Sequence, residues 1–373
     1  MTLSTPAPSL LQPLALDAHR RRGRGAPSNI SGRYELLKRE DVDDGWGSTA
    51  GLDAFRTSVT RERPRHIITR NDSPDLSFEQ SLNPYRGCEH GCSYCFARPT
   101  HAFLGLSPGL DFETKLVAKD GAAAALRREL AARGYRPRTL AIGTNTDPYQ
   151  PIERQHRITR SVLEVLAETN HPVGIVTKSA LVTRDIDILA PMAAKGLVKV
   201  AISITTLDRD LARKMEPRAS QPQLRLEAMA ALAEAGIPVT LMVAPIIPAL
   251  NDAEIETLMK CAFAAGAREV GYVMLRLPLE IAELFTQWLR EHYPDRAEHV
   301  LQLIRSTREG GLYDSTFHKR MSGTGPYAFM IGRRVEVAAA KLGFNKARLA
   351  LRTELFRAPE AEQPQADLFE TAA

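Results

Sequence analysis

An α/β fold built on a parallel sheet is what this sequence predicts, and two observations carry that reading. Short β-branched runs recur about every thirty residues, at 139–145, 173–177, 198–206, 237–248 and 269–277, with a further one at 76–82. Between them lie stretches with apolar residues at three-four spacing: 121–133, 153–169, 185–195, 223–235 and 253–265. Parallel neighbours need a long crossover, and a helix supplies it, so the alternation reads as successive βα units with helices covering the sheet.

The α/β unit is expected over 61–280. Helical segments at 280–292, 295–305 and 333–341 follow and are expected to pack on the sheet as a C-terminal helical extension over 281–358. Residues 1–60 mix Pro, Gly, Ser and charge and contain the basic knot His19-Arg20-Arg21-Arg22-Gly23-Arg24, which predicts a flexible N-terminal arm. Residues 359–373, rich in Ala, Glu, Gln and Pro, read as a disordered tail.

Composition narrows the class. The chain has 373 residues, 44% hydrophobic and 25% charged, which is ordinary for a globular protein, and no apolar run reaches the length of a bilayer span. The apolar stretch 10–16 is broken by Gln12 and Pro13, and its basic cluster follows rather than precedes it, unlike a signal peptide. A cytoplasmic location is therefore expected. A net charge of +5 and a pI near 9.0 suit a polyanionic partner without requiring one.

Of the four cysteines, Cys88, Cys92 and Cys95 form a CxxxCxxC array within Gly87-Cys88-Glu89-His90-Gly91-Cys92-Ser93-Tyr94-Cys95-Phe96. So compact a set points to metal or redox chemistry rather than to a disulfide framework. Glycines at 87 and 91 allow the tight turns that would wrap thiolates round an iron–sulfur cubane. Such clusters usually take four thiolates, so three leave one iron open to a chelating small molecule. Two alternatives stand beside this reading: a zinc site completed by His90 or His101, and three thiols buried as small hydrophobes. Cys261, inside an apolar helical stretch, reads as a core residue.

The CxxxCxxC array with Tyr94 before its third cysteine resembles the signature of the radical S-adenosylmethionine (SAM) superfamily, over roughly residues 75–280. That resemblance implies a partial (β/α)6 TIM-type barrel, a [4Fe–4S] cluster on Cys88, Cys92 and Cys95, SAM on the open iron, and a reductant such as flavodoxin or ferredoxin. In barrels of this kind the active site gathers at the C-terminal strand ends. There Thr144 and Asn145 can accept bonds from the SAM amine, Lys178 can pair with its carboxylate, and Ser203 can bond a ribose or carboxylate oxygen. Tyr94 and the backbone at Ala244 can flank the adenine. Strand-end Thr, Asn and Asp also serve as turn residues and helix caps, and Asp147 and Ser179 are open to that role.

Thr144-Asn145-Thr146-Asp147-Pro148-Tyr149 and Thr177-Lys178-Ser179, with the cysteine motif, are similar to the spore photoproduct lyase branch. In that branch a lysine and a serine matching Lys178 and Ser203 help hold SAM. The resemblance implies reductive SAM cleavage to methionine and a 5′-deoxyadenosyl radical that takes hydrogen from substrate. One departure stands out. Those lyases carry a hydrogen-donating cysteine at the end of the second strand, where this chain reads Ala141-Ile142-Gly143-Thr144, and this argues against thymine-dimer repair in their manner.

The tail segment Gln365-Ala366-Asp367-Leu368-Phe369 resembles the pentapeptide by which bacterial repair proteins dock on the sliding clamp, with Gln365, Leu368 and Phe369 as its contacts; chance also produces so short a pattern. The arginine knot suits phosphates or is a solvated arm, and residues 313–327 are either a substrate loop or a bland connection. Nucleic acid is thus one substrate class, with a peptide or small molecule as the alternative and a non-catalytic zinc or iron–sulfur protein as a further one. No membrane partner is expected.

Overall fold

The computed structural model describes residues 16–17, 19–35 and 53–360. A seven-stranded sheet forms its centre. Six parallel strands, β3 (Gln80–Leu82), β6 (Leu140–Ile142), β7 (Val173–Thr177), β8 (Val198–Ser203), β9 (Val239–Ile246) and β10 (Glu269–Met274), lie side by side in chain order, with β2 (Ile68–Arg70) antiparallel on the outer side of β3. The sheet is open, with β10 and β2 as its edges among the described residues. A second, three-stranded sheet places β5 (Lys115–Lys119) between β1 (Ser58–Glu62) and β4 (Tyr85–Arg86).

The connecting helices are α2 (Ala122–Leu130), α3 (Glu153–His156), α4 (Ile158–Glu168), α5 (Ile186–Ala194), α6 (Arg209–Met215), α7 (Pro222–Glu234) and α8 (Ile255–Ala264), after the short α1 (Asp111–Thr114). Strand residues such as Val173, Ile175, Val200, Ile202 and Leu241 are buried with Val162, Leu166, Met229 and Leu258 of the helices in one apolar core. The expected single helix at 153–169 is broken at Arg157, whose φ of 49° separates α3 from α4.

Beyond the sheet come α9 (Ile281–His292), α10 (Pro294–Ser306), α11 (Lys319–Ser322) and α12 (Gly325–Leu342). The expectation that all of this extension packs on the sheet needs correction. α11 and α12, the latter longer than expected, lie against β10, and α12 also on α8; Phe285, Trp288 and Val300 of α9 and α10 share a separate core with Cys92, Tyr94, Met215 and Leu277.

The flexible arm is also corrected for residues 19–35. Arg21 and Arg24 are buried: Arg21 pairs with Glu291, and Arg24 donates to the carbonyls of Glu113 (3.1 Å) and Phe55 (2.9 Å). These two guanidiniums are spent inside the protein, so the knot is not a solvated arm. Cys261 is half-buried on α8 rather than a core residue. Gln365, Leu368 and Phe369 lie outside the described residues. No described helix is long and apolar enough to cross a membrane.

Candidate cluster and cofactor site

The cysteines lie on the irregular segment that leaves β4. Gly87 and Gly91 have φ values of 73° and 66°, so the turns their positions suggested are present. Cys88 and Cys92 are buried and Cys95 half-buried. Burial pushes all three thiols up, and for Cys88 the nearby Asp147, Cys92 and Cys95 add repulsion in that order. Thiols close enough to repel one another as thiolates need a cation to hold them ionised, which is what iron provides.

Buried polar side chains fix this loop. Gln150, fully buried, accepts from Glu89 N (2.9 Å) and donates to the Gly87 carbonyl (3.1 Å), so it grips the backbone on both sides of Cys88. Cys88 N itself donates to Phe112 O at 2.9 Å. Arg98 donates through Nε to the Cys92 carbonyl at 2.9 Å and pairs with Glu113, both residues being fully buried. His90 Nδ1 lies 3.4 Å from Asp147, and His101 Nε2 lies 2.9 Å from the Lys115 carbonyl. Both histidines offered for a zinc site are thus engaged elsewhere. Among the described residues no three His, Cys, Asp or Glu converge to hold a single metal ion, whereas a cubane places each thiolate on its own iron.

The strand-end residues approach the loop from the sheet. Asp147 accepts from Thr177 Oγ1 (2.7 Å), Lys178 N (2.7 Å) and Tyr149 N (2.9 Å). Burial alone would raise its pKa, but His90 and these donors bring it down to about 2. Asn83 Oδ1 accepts from the backbone of Asn145 (3.0 Å) and Thr146 (3.3 Å), and Asn83 Nδ2 lies 3.4 Å from Thr144 Oγ1. Thr144 and Asn145 thereby sit beside the start of the cysteine segment.

Lys178 Nζ makes a 3.4 Å contact with the Ala244 carbonyl and stands 5.8 Å from the Tyr94 ring centroid. Thr205 donates to the same carbonyl at 3.3 Å and to Glu216 at 2.6 Å. Tyr94 donates to Glu216, which also pairs with Arg225; Arg225 in turn donates to the Ser203 carbonyl at 2.9 Å. Tyr94, Lys178, Ser203 and Ala244 therefore meet round the Glu216–Arg225 pair, with Thr144 and Asn145 joined to them through Asp147 along the chain. Desolvation works against the Glu216 carboxylate, yet Arg225 and Lys178 hold its pKa down to about 2.

Sequence reasoning missed Glu216, Arg225, Arg98 and Glu113. Each reads as a surface charge, and the partners come together only through folding. The one hint was position: Glu216 closes the helix that follows the strand-end pair Thr205-Thr206.

A model of the radical SAM superfamily matches residues 82–262. This chain belongs to that superfamily. An uncharacterized protein of Mycobacterium tuberculosis is 39% identical over 232 residues, covering 62% of this chain and 68% of its own length. Among solved structures, spore photoproduct lyase complexed with dinucleoside spore photoproduct aligns at TM-score 0.55 and 18% identity, over 77% of this chain and 80% of that one. A double mutant of the lyase with bound AdoMet and the same dinucleoside aligns at TM-score 0.51 and 18% identity, over the same shares of the two chains. At these identities the likeness is one of fold. The chain is a radical SAM enzyme whose cofactors are a [4Fe–4S] cluster and SAM, and it needs a reductant. The set of three thiols, one ligand fewer than a cubane has irons, fits that cluster.

Proposed function

We propose that this radical SAM enzyme acts on a nucleobase of a nucleic acid, with Cys88, Cys92 and Cys95 as cluster ligands. When bound, the cluster supplies the electron that splits SAM into methionine and a 5′-deoxyadenosyl radical, which takes a hydrogen atom from the substrate. Around it this chain binds and orients. Lys178, now against the Ala244 carbonyl, would pair with the SAM carboxylate, Thr144 and Asn145 would take its amine, Ser203 a ribose or carboxylate oxygen, and Tyr94 and the backbone at Ala244 would border the adenine. The reductant is a flavodoxin or ferredoxin.

The observation that carries the substrate class is an aromatic–arginine surface beside the third cysteine. Phe96 is 42% exposed with the Arg276 guanidinium 4.8 Å over its ring, and Arg276 also reaches Tyr313 Oη at 3.4 Å. Phe317, 47% exposed, lies under Arg320 at 4.8 Å, and Arg320 is held by Asp75 (2.7 Å). Exposed rings backed by arginine are stacking platforms for unpaired bases. This gives the 313–327 segment a substrate role. The arginine knot no longer supports the reading, because Arg21 and Arg24 are buried. A clamp contact through Gln365, Leu368 and Phe369 is a separate part of the proposal.

The test is reductive SAM cleavage by the reconstituted enzyme with single-stranded DNA, single-stranded RNA, duplex DNA or a peptide. Stimulation by a single strand, lost in Phe96→Ala and Arg276→Ala proteins that keep full iron and basal cleavage, is expected. Equal turnover with and without nucleic acid, or stimulation by peptide alone, refutes it.

A further inference from the structure

The N-terminal segment 21–30 contacts the cysteine loop more closely than any general packing requires. Gly25 lies against Gly91 so tightly that a Cβ on Gly25 would stand 1.7 Å from the Gly91 carbonyl oxygen and 3.4 Å from Ser93 N. A Cβ on Gly91 would in turn meet Glu113 Oε2 at 2.6 Å. Two facing glycines thus let the segment, the cysteine loop and one carboxylate meet with nothing between them.

Glu113 is the lock. Its Oε2 accepts from Gly25 N at 2.9 Å and its Oε1 from Ala26 N at 2.7 Å, while Arg98 pairs with the same Oε1 and bonds the Cys92 carbonyl. The carbonyl of Glu113 accepts from Arg24 Nη1 at 3.1 Å. One fully buried residue therefore ties the segment to the backbone of the second cysteine. Further along, Asn29 exchanges bonds with Asp111 (Asp111 N to Oδ1, 2.9 Å; Nδ2 to Asp111 Oδ1, 3.2 Å), and Ser28 Oγ donates to Gln287 of α9 at 2.7 Å. Ile30 packs on the core that contains Cys92 and Tyr94. The segment thus spans from the C-terminal helices to the cysteine loop.

We infer that residues 21–30 are a strap that completes the wall of the cluster site, with Glu113 as the positioning residue that holds it there. The strap excludes water from the loop and fixes the Cys92 backbone. It rests on the three cysteines as cluster ligands, so the deciding measurement is made on the apoprotein, where failure of that assignment has no effect.

The experiment is hydrogen–deuterium exchange of the full chain without cluster, comparing wild type, Gly25→Val and Glu113→Gln. Gly25→Val drives the strap off Gly91 while the Arg98–Glu113 pair keeps both of its side chains; Glu113→Gln keeps the shape and puts an amide donor among donors. Both are expected to speed exchange several-fold in 87–98 and 107–114 while β7 and β8 stay as protected as in wild type, a pattern that general destabilisation does not give. After anaerobic reconstitution, iron loss to EDTA should be several-fold faster in both variants. Unchanged exchange in 87–98 for Gly25→Val, with 21–30 itself exchanging fast, overturns the inference. If Gly25→Val raises exchange everywhere, Glu113→Gln decides on the same criterion.

Discussion

Glu216→Gln should cost this protein about 3–5 kcal/mol, because it leaves the Arg225 guanidinium buried without its counter-charge. The pair is sealed: both side chains are 1% exposed, and Glu216 also accepts from Tyr94 and Thr205. A second route gives a similar size. Lowering the carboxyl from 4.5 to about 2 in the folded state corresponds to about 3 kcal/mol of stability at neutral pH. The sign follows from a depressed pKa. The contribution is complete above about 4.5 and is lost as pH falls toward about 2, so the gap between wild type and mutant narrows over that window. Urea unfolding of the apoprotein at pH 7 and at successively lower pH measures both effects. A double Glu216→Gln/Arg225→Met protein should recover most of the loss, since no buried charge remains. A Glu216→Gln protein within about 0.5 kcal/mol of wild type, or a double mutant no better than the sum of its single changes, would refute the argument.

Replacing Cys88, Cys92 or Cys95 with Ala should abolish the reconstituted cluster, measured as iron content and visible absorption, whereas Cys261→Ala should keep it. Lys178→Ala should leave the cluster intact and weaken SAM binding by about 2 kcal/mol, some thirtyfold in Kd, the low end for a paired charge because this lysine is only half-buried. Ser203→Ala should act in the same direction, and unchanged SAM titrations of both proteins would place the cofactor elsewhere. Gln150→Ala should free Gly87 and Glu89 and broaden the cluster's electron paramagnetic resonance signal without changing far-ultraviolet dichroism. A Leu368→Ala/Phe369→Ala protein should lose binding to purified sliding clamp while SAM cleavage is retained.

The sheet was legible because its strands announce themselves locally. Val173–Thr177 coincides with its expected range, and the helices on either side carry apolar periodicity that the core uses directly. The second sheet was not. β4 spans only Tyr85–Arg86, and β1 pairs with β5 more than fifty residues away, so neither has a pattern visible within a short window. The cysteines were legible because their CxxxCxxC spacing lies within eight residues of sequence, but the groups that hold their loop were not. Arg98, Glu113, Glu216 and Arg225 are charged residues that sequence statistics place on the surface, and only the fold shows each matched to a buried partner. The arginine knot failed for the same reason in reverse: Arg21 and Arg24 look like a polyanion site until Glu291 and the Glu113 carbonyl are seen to occupy them.

These buried partners also bear on how the chemistry ends. A loop without regular hydrogen bonding would pay a large ordering cost if left to itself, yet here Gln150 and Asp147 tie it to the connection after β6, and Arg98 braces the Cys92 carbonyl from the segment that follows. The cysteine loop is therefore held in place by the protein's own side chains. The same closeness removes room at the second strand's end. A Cβ on Gly143 would lie 2.1 Å from the Val176 carbonyl oxygen, and the residue's φ of 90° already disfavours any side chain. A cysteine could not be placed at Gly143 without moving β7, and buried Ala141 and Ile142 complete the strand with apolar side chains. Under the nucleobase reading, the hydrogen that ends the reaction must then come from 5′-deoxyadenosine, from the substrate itself or from a group outside this strand. Isotope transfer from labelled SAM back into product would separate the first of these from the others.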